Sequence, residues 1–180
     1  MMPKHHIETE RLILRPILDT DIDGMFELDS NPDVHKYLGN KPITKKEQAQ
    51  KYITDLQQQY KERGIGRWAV VLKETNEFMG WSGIKYLNES EQENGFYNVY
   101  ELGYRFIPKF WGKGYATESA QAWVDYMFNE AGVKSLYAAA DIPNKGSVNV
   151  LQKVGFKITG TFVFEWKGDL SDCYWLEQHK

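Results

Sequence analysis

The segment KFWGKGYATES, residues 109–119, combines glycine, lysine and the start of a helical pattern in a way that could bind phosphate. Gly112 and Gly114 carry no Cβ, so a bulky anion can approach their backbone closely. The first turn of a helix presents unpaired N–H groups and a partial positive charge. Lys109 and Lys113 add positive charge beside it. We interpret this glycine turn as a phosphate site, and a tight strand-to-helix connection remains the alternative.

Two well-known phosphate motifs do not fit the glycine turn. The spacing G-x-x-x-x-G-K-[ST] does not occur in WGKGYATES, and no third glycine stands where a dinucleotide fingerprint needs one. The expected phosphate therefore belongs to some other ligand.

An amphipathic helix is predicted directly after the glycine turn. Its apolar residues recur at helical spacing, at Ala116, Ala120, Trp123, Val124, Met127, Phe128 and Ala131. Gly132 fits a C-cap. The helix should therefore begin close to Gly114 and end before Gly132.

The elements before residue 65 are predicted as one strand followed by helices. RLILRPI, residues 11–17, is short, apolar and rich in β-formers. Thr20 fits the N-cap of a short helix after it, and Asn31 fits the N-cap of another. Thr44 and Glu47 fit a capping box for a longer helix that ends at Gly64.

The second half of the chain reads mainly as strands. Three runs joined by short turns, residues 67–73, 78–88 and 97–107, predict an antiparallel meander. A strand at 134–141, a short helix at 144–155 and strands at 156–168 and 172–179 follow, which makes an α/β protein. The acidic loop NESEQEN, residues 88–94, is interpreted as a solvated hairpin loop that could attract a cationic ligand.

Length and composition exclude several classes of protein. A chain of 180 residues with 42% hydrophobic residues can bury one substantial core, so we expect a single domain over residues 1–180. The net charge of -3 gives no uniform basic field, so no nucleic-acid partner is expected. No apolar run resembles a signal peptide or a membrane span, which predicts a cytoplasmic protein with no membrane partner.

Few side chains point to metal or thiol chemistry. The pair His5-His6 has no further histidines at ligand spacing, so we expect no metal. Cys173 is the single cysteine and cannot form an intrachain disulfide. Without a nearby sign of an activating histidine it is interpreted as a small buried hydrophobe.

A second motif decides which phosphate ligand to expect. DIPNKGSVNVLQKVGF, residues 141–156, places Asn144 before a short helix and Ser147 three residues later, and ends in Gly-Phe. Together with KFWGKGYATES it resembles the GNAT N-acetyltransferases of the RimJ/RimL-like branch, in which [RQ]-x-x-G-x-[GA] precedes N-x-x-S and L-x-K-x-G-F. The likeness extends to TERLILRPILDTDIDGMFEL, residues 9–28, and to the order of elements. Lys109 departs from the usual Arg or Gln.

The resemblance implies a GNAT-like α/β (α+β) fold. This fold is a mixed, largely antiparallel twisted sheet with helices on both faces and splayed central strands. In the family, the pantetheine arm of acetyl-CoA lies between those strands, which here would be residues 99–107 and 134–141. An exposed strand edge can bind such an extended amide ligand.

The resemblance also implies which residues bind acetyl-CoA, the expected cosubstrate. Backbone groups would hold the pantetheine and the pyrophosphate, with help from the side chains of Thr117 and Asn144. For Asn144 the alternative is a helix N-cap. The complete implied set is Phe106, Ile107, Lys109, Gly112, Lys113, Gly114, Ala116, Thr117, Asn144 and Ser147.

Three catalytic roles follow from the same resemblance. Glu101 matches a position where many relatives carry a catalytic glutamate, and it would take the proton of the acceptor ammonium. The alternative is a surface glutamate paired with Arg105. The backbone N–H of Arg105 would bind the oxyanion. Many relatives have a tyrosine that protonates the leaving thiolate, and Leu151 stands at that position here. The resemblance therefore implies that Ser147 protonates the thiolate. The alternative is that the Ser147 hydroxyl only hydrogen bonds to the backbone in the first turn of its helix.

The function implied by the resemblance is acetyl transfer from acetyl-CoA to a primary amine by direct attack in a ternary complex. A protein N-terminal α-amine, such as that of a ribosomal protein, is the favoured acceptor. The alternatives are a small amine (polyamine, amino acid or antibiotic) or a catalytically silent domain that senses acetyl-CoA. A monomer and a homodimer both stay open.

Overall fold

The computed structural model of the protein describes residues 6–166 and 168–180, so His5 lies outside the described residues. Eight strands form one sheet in the order β1-β2-β3-β4-β5-β6-β8-β7. The strands are β1 Ile7–Glu8, β2 Leu12–Arg15, β3 Arg67–Leu72, β4 Glu77–Leu87, β5 Val99–Phe106, β6 Ser135–Asp141, β7 Lys157–Trp166 and β8 Asp169–His179.

Five α-helices connect and cover these strands. They are α1 Ile22–Asp29, α2 Pro32–His35, α3 Lys46–Arg63, α4 Tyr115–Asp125 and α5 Lys145–Lys153. Single 3-10 turns lie at Asp19–Asp21, Glu89–Glu91 and Pro108–Phe110, and a π-helical turn, Tyr126–Glu130, continues α4. The order of strands and helices agrees with the sequence prediction, apart from the additional short strand β1.

The sheet is antiparallel except at its centre. Strands β1 to β5 pair in sequence as an antiparallel meander, and β6, β8 and β7 pair antiparallel on the other side. Strands β5 and β6 run parallel, and among the described residues a single pair, Glu101 with Tyr137, joins them. Beyond that pair the two strands separate, as the predicted splayed strands require.

Helices cover both faces of the sheet. Cross-strand partners share a face, so Trp81 and Arg105 lie on one face, while Trp68 and Tyr104 lie on the other. Arg105 forms an ion pair with Asp29 at the end of α1. Trp68 packs edge to face against Trp123 of α4 with ring centroids 5.2 Å apart.

The first turn of α4 is anchored to the turn between β1 and β2. The Glu118 carboxylate accepts hydrogen bonds from the Thr9 hydroxyl at 2.6 Å and the Arg11 N–H at 2.9 Å. Burial raises the pKa of Glu118, but these hydrogen bonds and the Arg11 guanidinium lower it below the ordinary value overall. The anchor fixes the helix N-terminus, and therefore the glycine turn, against the sheet.

Two helix caps differ from the sequence prediction. Thr20 lies inside a 3-10 turn, and the Asp21 carboxylate accepts the Leu18 N–H at 2.8 Å instead. Helix α3 begins at Lys46, and the Gln48 side chain accepts the Thr44 N–H at 3.0 Å. The Thr20 cap and the Thr44 capping box were therefore wrong.

The predicted caps at Asn31, Gly64 and Gly132 fit the structure. The Asn31 side chain accepts the Asp33 N–H, and Gly64 ends α3 in the left-handed conformation. Gly132 has a φ of 71° just after the π-helical turn. Within the described residues, no helix is long and apolar enough to cross a membrane.

Candidate active site

The gap between β5 and β6 exposes backbone groups from alternate residues of β5. Ile107 donates its N–H to the Met79 carbonyl on β4 at 2.9 Å. Hydrogen-bonded pairs recur every second residue in an antiparallel ladder, so the pair Arg105 and Trp81 is also hydrogen bonded. The N–H groups of Tyr104 and Phe106 therefore point the other way, toward the gap.

This phase of the ladder changes two expectations about backbone donors. The Arg105 N–H is directed at β4, so it is badly placed to bind an oxyanion in the gap. Ile107 uses its N–H on Met79 and its carbonyl on the Phe110 N–H. The Phe106 carbonyl accepts the Trp111 indole N–H at 2.7 Å. The N–H of Phe106 is thus the group of this pair directed at the gap.

The glycine turn lies next to the gap and has the shape of an anion site. Gly112 and Gly114 have φ values of 72° and 82°, which favour glycine. A Cβ on Gly112 would meet nothing within 4 Å, so the space above its backbone is open. Helix α4 begins at Tyr115, and its first intrahelical bond runs from Glu118 N–H to the Gly114 carbonyl.

The glycine turn therefore fits both a tight strand-to-helix connection and a phosphate site. The positive φ values show that the backbone itself requires glycine, and the open space leaves room for a phosphate. The N–H groups of Tyr115, Ala116 and Thr117 precede the first intrahelical bond and are available to an anion. This arrangement fits the pyrophosphate of a coenzyme A ligand.

A second, side-chain-lined cavity opens on the face of the sheet that carries Glu101. We call it the acceptor cavity, and its volume is about 170 Å³. It is lined by Arg67, Lys85, Glu93, Glu101, Ala139, Ala140, Asp141, Phe164, Trp166 and Cys173. Because Glu101 is also the residue where β5 and β6 last pair, the cavity adjoins the start of the gap.

The Glu101 side chain is buried in the wall of the acceptor cavity with 6% of its surface exposed. Its Oε2 atom lies 2.7 Å from a guanidinium nitrogen of Arg67, which also sits over the Trp81 ring. The expected alternative pairing with Arg105 is wrong, because Arg105 binds Asp29 at 2.5 Å. Glu101 is thus a buried, oriented carboxylate.

The comparisons with known proteins bear directly on this arrangement. Residues 11–157 match the family described as the acetyltransferase (GNAT) domain. The chain is 33% identical over 168 residues to the uncharacterized N-acetyltransferase p20 of Bacillus licheniformis, which covers 92% of this chain and 91% of that protein. The chain belongs to the GNAT acetyltransferases. It is therefore an acetyl-CoA-dependent N-acetyltransferase.

Two more distant GNAT proteins differ in the acceptors that their names state. Spermidine N(1)-acetyltransferase of Escherichia coli is 26% identical over 153 residues, covering 85% of this chain and 76% of that protein. The structure of RimL, a ribosomal-protein alpha-N acetyltransferase in complex with coenzyme A, has a TM-score of 0.81 at 17% identity and covers 97% of this chain and 98% of that chain. The RimL likeness shows the GNAT fold alone.

The two lysines of the GNAT glycine turn differ in their surroundings. Lys109 forms ion pairs with Glu77 at 2.7 Å and Glu27 at 3.1 Å, and the hydrogen bond to Glu77 is the largest cause of its raised pKa. Its charge is therefore already compensated by protein carboxylates. The Lys113 side chain is exposed on the turn.

Arg11 contacts the glycine turn, and the sequence analysis did not identify it. Its guanidinium donates to the Lys113 carbonyl at 3.0 Å, pairs with Glu118 at 2.7 Å and lies 4.4 Å from the centroid of the Tyr115 ring. It also approaches Gly114. No local pattern could reveal this contact, because it joins the turn between β1 and β2 to a turn over a hundred residues away.

Helix α5 brings Asn144 and Ser147 to the other face of β5. The Asn144 side-chain oxygen accepts the Ser147 N–H at 3.2 Å, so Asn144 is the N-cap of α5. Its amide NH2 group is the part that can donate to a ligand. The Ser147 hydroxyl lies 3.1 Å from the Tyr104 hydroxyl, which donates to the Ser147 carbonyl at 2.8 Å.

Tyr104 is a second residue that the sequence analysis did not single out. Burial raises its pKa above the ordinary tyrosine value, so its hydroxyl stays protonated at neutral pH. It lies on β5 beside Ser147, which makes the two hydroxyls one hydrogen-bonded pair. Alternation along β5 could have placed Tyr104 opposite Glu101, but its contact with α5 depends on the tertiary fold.

Three groups of the acceptor cavity have raised pKa values. Burial, with the Glu101 charge second, raises the pKa of Glu93 to about 7. Burial also raises the pKa of Asp141. Burial and nearby carboxylates raise the pKa of the Cys173 thiol to about 12, so it does not form a nucleophilic thiolate near neutral pH. In the part of the chain that is described, no cluster of His, Cys, Asp or Glu could hold a metal ion.

Proposed function

We propose that this N-acetyltransferase transfers acetyl from acetyl-CoA to a primary amine, with a protein N-terminal α-amine as the favoured acceptor. The observation that carries the proposal is the buried Glu101 carboxylate, which lines the acceptor cavity at the point where β5 and β6 begin to separate. An amine in the cavity would meet a carboxylate on one side and a thioester in the gap on the other.

The cofactor would be held mainly by backbone. The N–H groups from Gly112 to Thr117 would hold the pyrophosphate, and the Phe106 N–H and the Asn144 amide would bind the pantetheine arm. The open space at Gly112 supports this proposal. Lys113 adds an exposed positive charge, whereas Lys109 contributes through its backbone because its ammonium binds carboxylates.

Glu101 would act as the general base. An amine acceptor is mostly ammonium at neutral pH and must lose a proton before it can attack a carbonyl. The ion pair with Arg67 fixes the orientation of the carboxylate. Because Arg67 engages Oε2, Oε1 is the atom that we expect to face the amine.

The oxyanion and the thiolate would be stabilised from β5 and α5. We assign the oxyanion to the N–H group of Tyr104, which the hydrogen-bonding phase of β5 directs at the gap and which replaces the Arg105 N–H. Ser147 would protonate the thiolate, with Tyr104 holding its hydroxyl. No nucleophilic side chain is needed, so attack is direct in a ternary complex.

The size of the acceptor cavity favours an acceptor that inserts one short amine-bearing group. At about 30 Å³ per water-sized group, the cavity holds roughly five or six such groups. That space suits the first residue of a peptide. A polyamine arm is the second candidate, because Glu93, Glu101 and Asp141 line the cavity and a GNAT relative is a spermidine acetyltransferase.

The acceptor is tested with a matched panel of amines. A peptide with a free N-terminal serine, the same peptide blocked at its N-terminus, spermidine and an aminoglycoside are each incubated with acetyl-CoA, and CoA release and product mass are measured. We expect acetylation of the free peptide and none of the blocked one. If spermidine alone is acetylated, the acceptor is a polyamine and not a peptide. If CoA binds but no amine is acetylated, the protein is better explained as a sensor domain.

We further propose that residues 1–180 act as one acetyltransferase unit in the cytoplasm. The sheet runs from Ile7 to His179, which supports a single unit. The buried free thiol of Cys173 fits a reducing compartment.

A further inference from the structure

We propose that Glu93 carries the proton released in each turnover from Glu101 out of the acceptor cavity to solvent. The proposal rests on the proposed function, because it concerns the same site and the same proton. It assigns a catalytic part to the acidic loop between β4 and β5, which the sequence analysis interpreted as solvated.

The loop that carries Glu93 is held against the sheet. Glu93 and Phe96 exchange two backbone hydrogen bonds of 3.1 and 2.8 Å. The Phe96 ring stacks on Trp175 at 5.0 Å and contacts Tyr137 at 5.3 Å, both on the face that carries Glu101. This packing holds the Glu93 carboxyl in the lining of the acceptor cavity.

The other charges around Glu93 are largely paired with each other. Arg67 of β3 binds Glu101 of β5, and Lys85 of β4 lies 3.3 Å from Glu91 of the same loop. Arg63 of α3 also binds Glu91, at 2.6 Å. Asp141 of β6 and Cys173 of β8 complete the ionisable lining.

The Glu93 carboxylate itself has no such partner. Among the described residues, no donor lies within hydrogen-bond or ion-pair distance of it. The half-buried side chain thus combines a free carboxylate with a path to solvent, whereas Glu101 is almost fully enclosed.

The electrostatics of the cavity suit proton exchange at neutral pH. Burial and the negative charge of Glu101 raise the pKa of Glu93 to about 7, against the opposing effects of Lys85 and Arg67. A group with such a pKa both accepts and releases a proton readily near pH 7. The negative charge of Glu101 therefore acts directly on the proton affinity of Glu93.

The reaction requires an exit for one proton. The acceptor ammonium gives its first proton to Glu101, and the neutral amine forms the C–N bond as the C–S bond breaks. The nitrogen then loses a second proton while the thiolate gains one. One proton per turnover therefore remains to be released, and Glu93 offers it a route from the enclosed Glu101 carboxyl to water.

The test compares Glu93→Gln with Glu89→Gln, which makes the same chemical change at an exposed position of the same loop. The turnover number kcat is measured from pH 6 to 9 with the N-terminal serine peptide and acetyl-CoA both saturating, because proton release after acetyl transfer affects kcat and not kcat/KM. We expect Glu93→Gln to lose about tenfold at pH 7 and less than about twofold at pH 9, where the peptide amine is mostly neutral. Glu89→Gln should follow the wild type.

A second measurement needs no turnover. The side-chain carboxyl carbons are titrated by NMR in the full chain, and the resonance missing from Glu93→Gln is assigned to Glu93. Its midpoint should lie near 7 in the wild type and be lower in Glu101→Gln, where the Glu101 charge is gone but burial still keeps the pKa of Glu93 raised. An ordinary midpoint in the wild type overturns the proposal.

The kinetic outcomes separate this proposal from the proposed function. Wild-type turnover with an unchanged pH profile in Glu93→Gln overturns the role of Glu93 alone. A wild type that acetylates no amine in the panel overturns the proposed function and, with it, any catalytic role of Glu93.

Discussion

The glycine turn and the acceptor cavity are built from different parts of the chain. The turn is one contiguous segment, residues 112–117, and offers backbone N–H groups. The cavity is assembled from side chains on β3, β4, β5, β6, β7, β8 and the β4–β5 loop. The first site is therefore local, and the second exists only in the folded chain.

Because the two sites are built differently, different substitutions should impair them. A backbone site tolerates changes of most side chains but not the loss of its glycines, whose φ values other residues rarely adopt. A side-chain site depends on each charge and on its partner. Cofactor affinity and acceptor chemistry should therefore respond to different substitutions.

The largest difference between the effect on turnover and the effect on cofactor affinity is expected for Glu101→Gln. This change keeps the shape but removes the base, so turnover should fall about 10²-fold or more while acetyl-CoA affinity is retained. The loss should shrink toward pH 9 because the acceptor amine is then neutral without help. Steady-state kinetics and calorimetry check both parts. Wild-type turnover from pH 6 to 9 would make Glu101 structural.

The next largest effect is expected at Gly112. Gly112→Asp places a negative charge in the open space above the turn, and CoA affinity should fall by about 30- to 100-fold, or ~2–3 kcal/mol. Gly112→Asn has a similar shape and strain without the charge, and asparagine tolerates positive φ. It should bind CoA more tightly than the aspartate variant. Equal affinities for both variants and the wild type would remove the phosphate from the turn.

A smaller effect is expected at the thiolate end. Ser147→Ala should reduce kcat by about three- to tenfold at pH 7, and the reduction should lessen as the pH rises toward the ordinary thiol pKa of about 8.5. Tyr104→Phe removes the hydroxyl that binds Ser147 and should show the same trend. If both variants keep the wild-type kcat, the hydroxyl pair does not act on the thiolate.

The smallest effect concerns stability rather than rate. The pKa of Glu93 is raised from 4.5 to about 7, so its favourable neutral form is fully present below pH 4.5 and is lost as the pH rises through 7. Glu93→Gln stays neutral and should raise Tm by a few degrees at pH 8, since ~1 kcal/mol corresponds to about 2–4 °C in a chain of this size. Near pH 4.5 the gain should vanish. A gain that is equal at both pH values would have a cause other than charge.

Sequence reasoning succeeded where the information was local. The conformation of the glycine turn and the alternative interpretation of Asn144 as an N-cap each follow from spacing within a few residues. The Glu101 partner does not, because Arg67 lies 34 positions earlier and meets it only through the register of β3, β4 and β5.

Two other features could not be predicted, for equally physical reasons. The direction of the Arg105 N–H depends on which cross-strand pairs are hydrogen bonded, and no residue pattern encodes that phase. The place of Glu93 depends on Phe96 stacking against Trp175, nearly 80 residues later in the chain. A hydrophilic loop sequence therefore predicted solvent exposure where the fold half-buries a carboxylate.

The central claim is that a backbone turn binds the cofactor and a separate side-chain cavity receives the amine. A crystal structure of the protein with coenzyme A tests it most directly. We expect pyrophosphate oxygens at hydrogen-bond distance, about 2.7–3.2 Å, from N–H groups of residues 112–117, with the thiol end in the gap beside Glu101. A pyrophosphate bound elsewhere, or a pantetheine arm inside the acceptor cavity, would contradict the account.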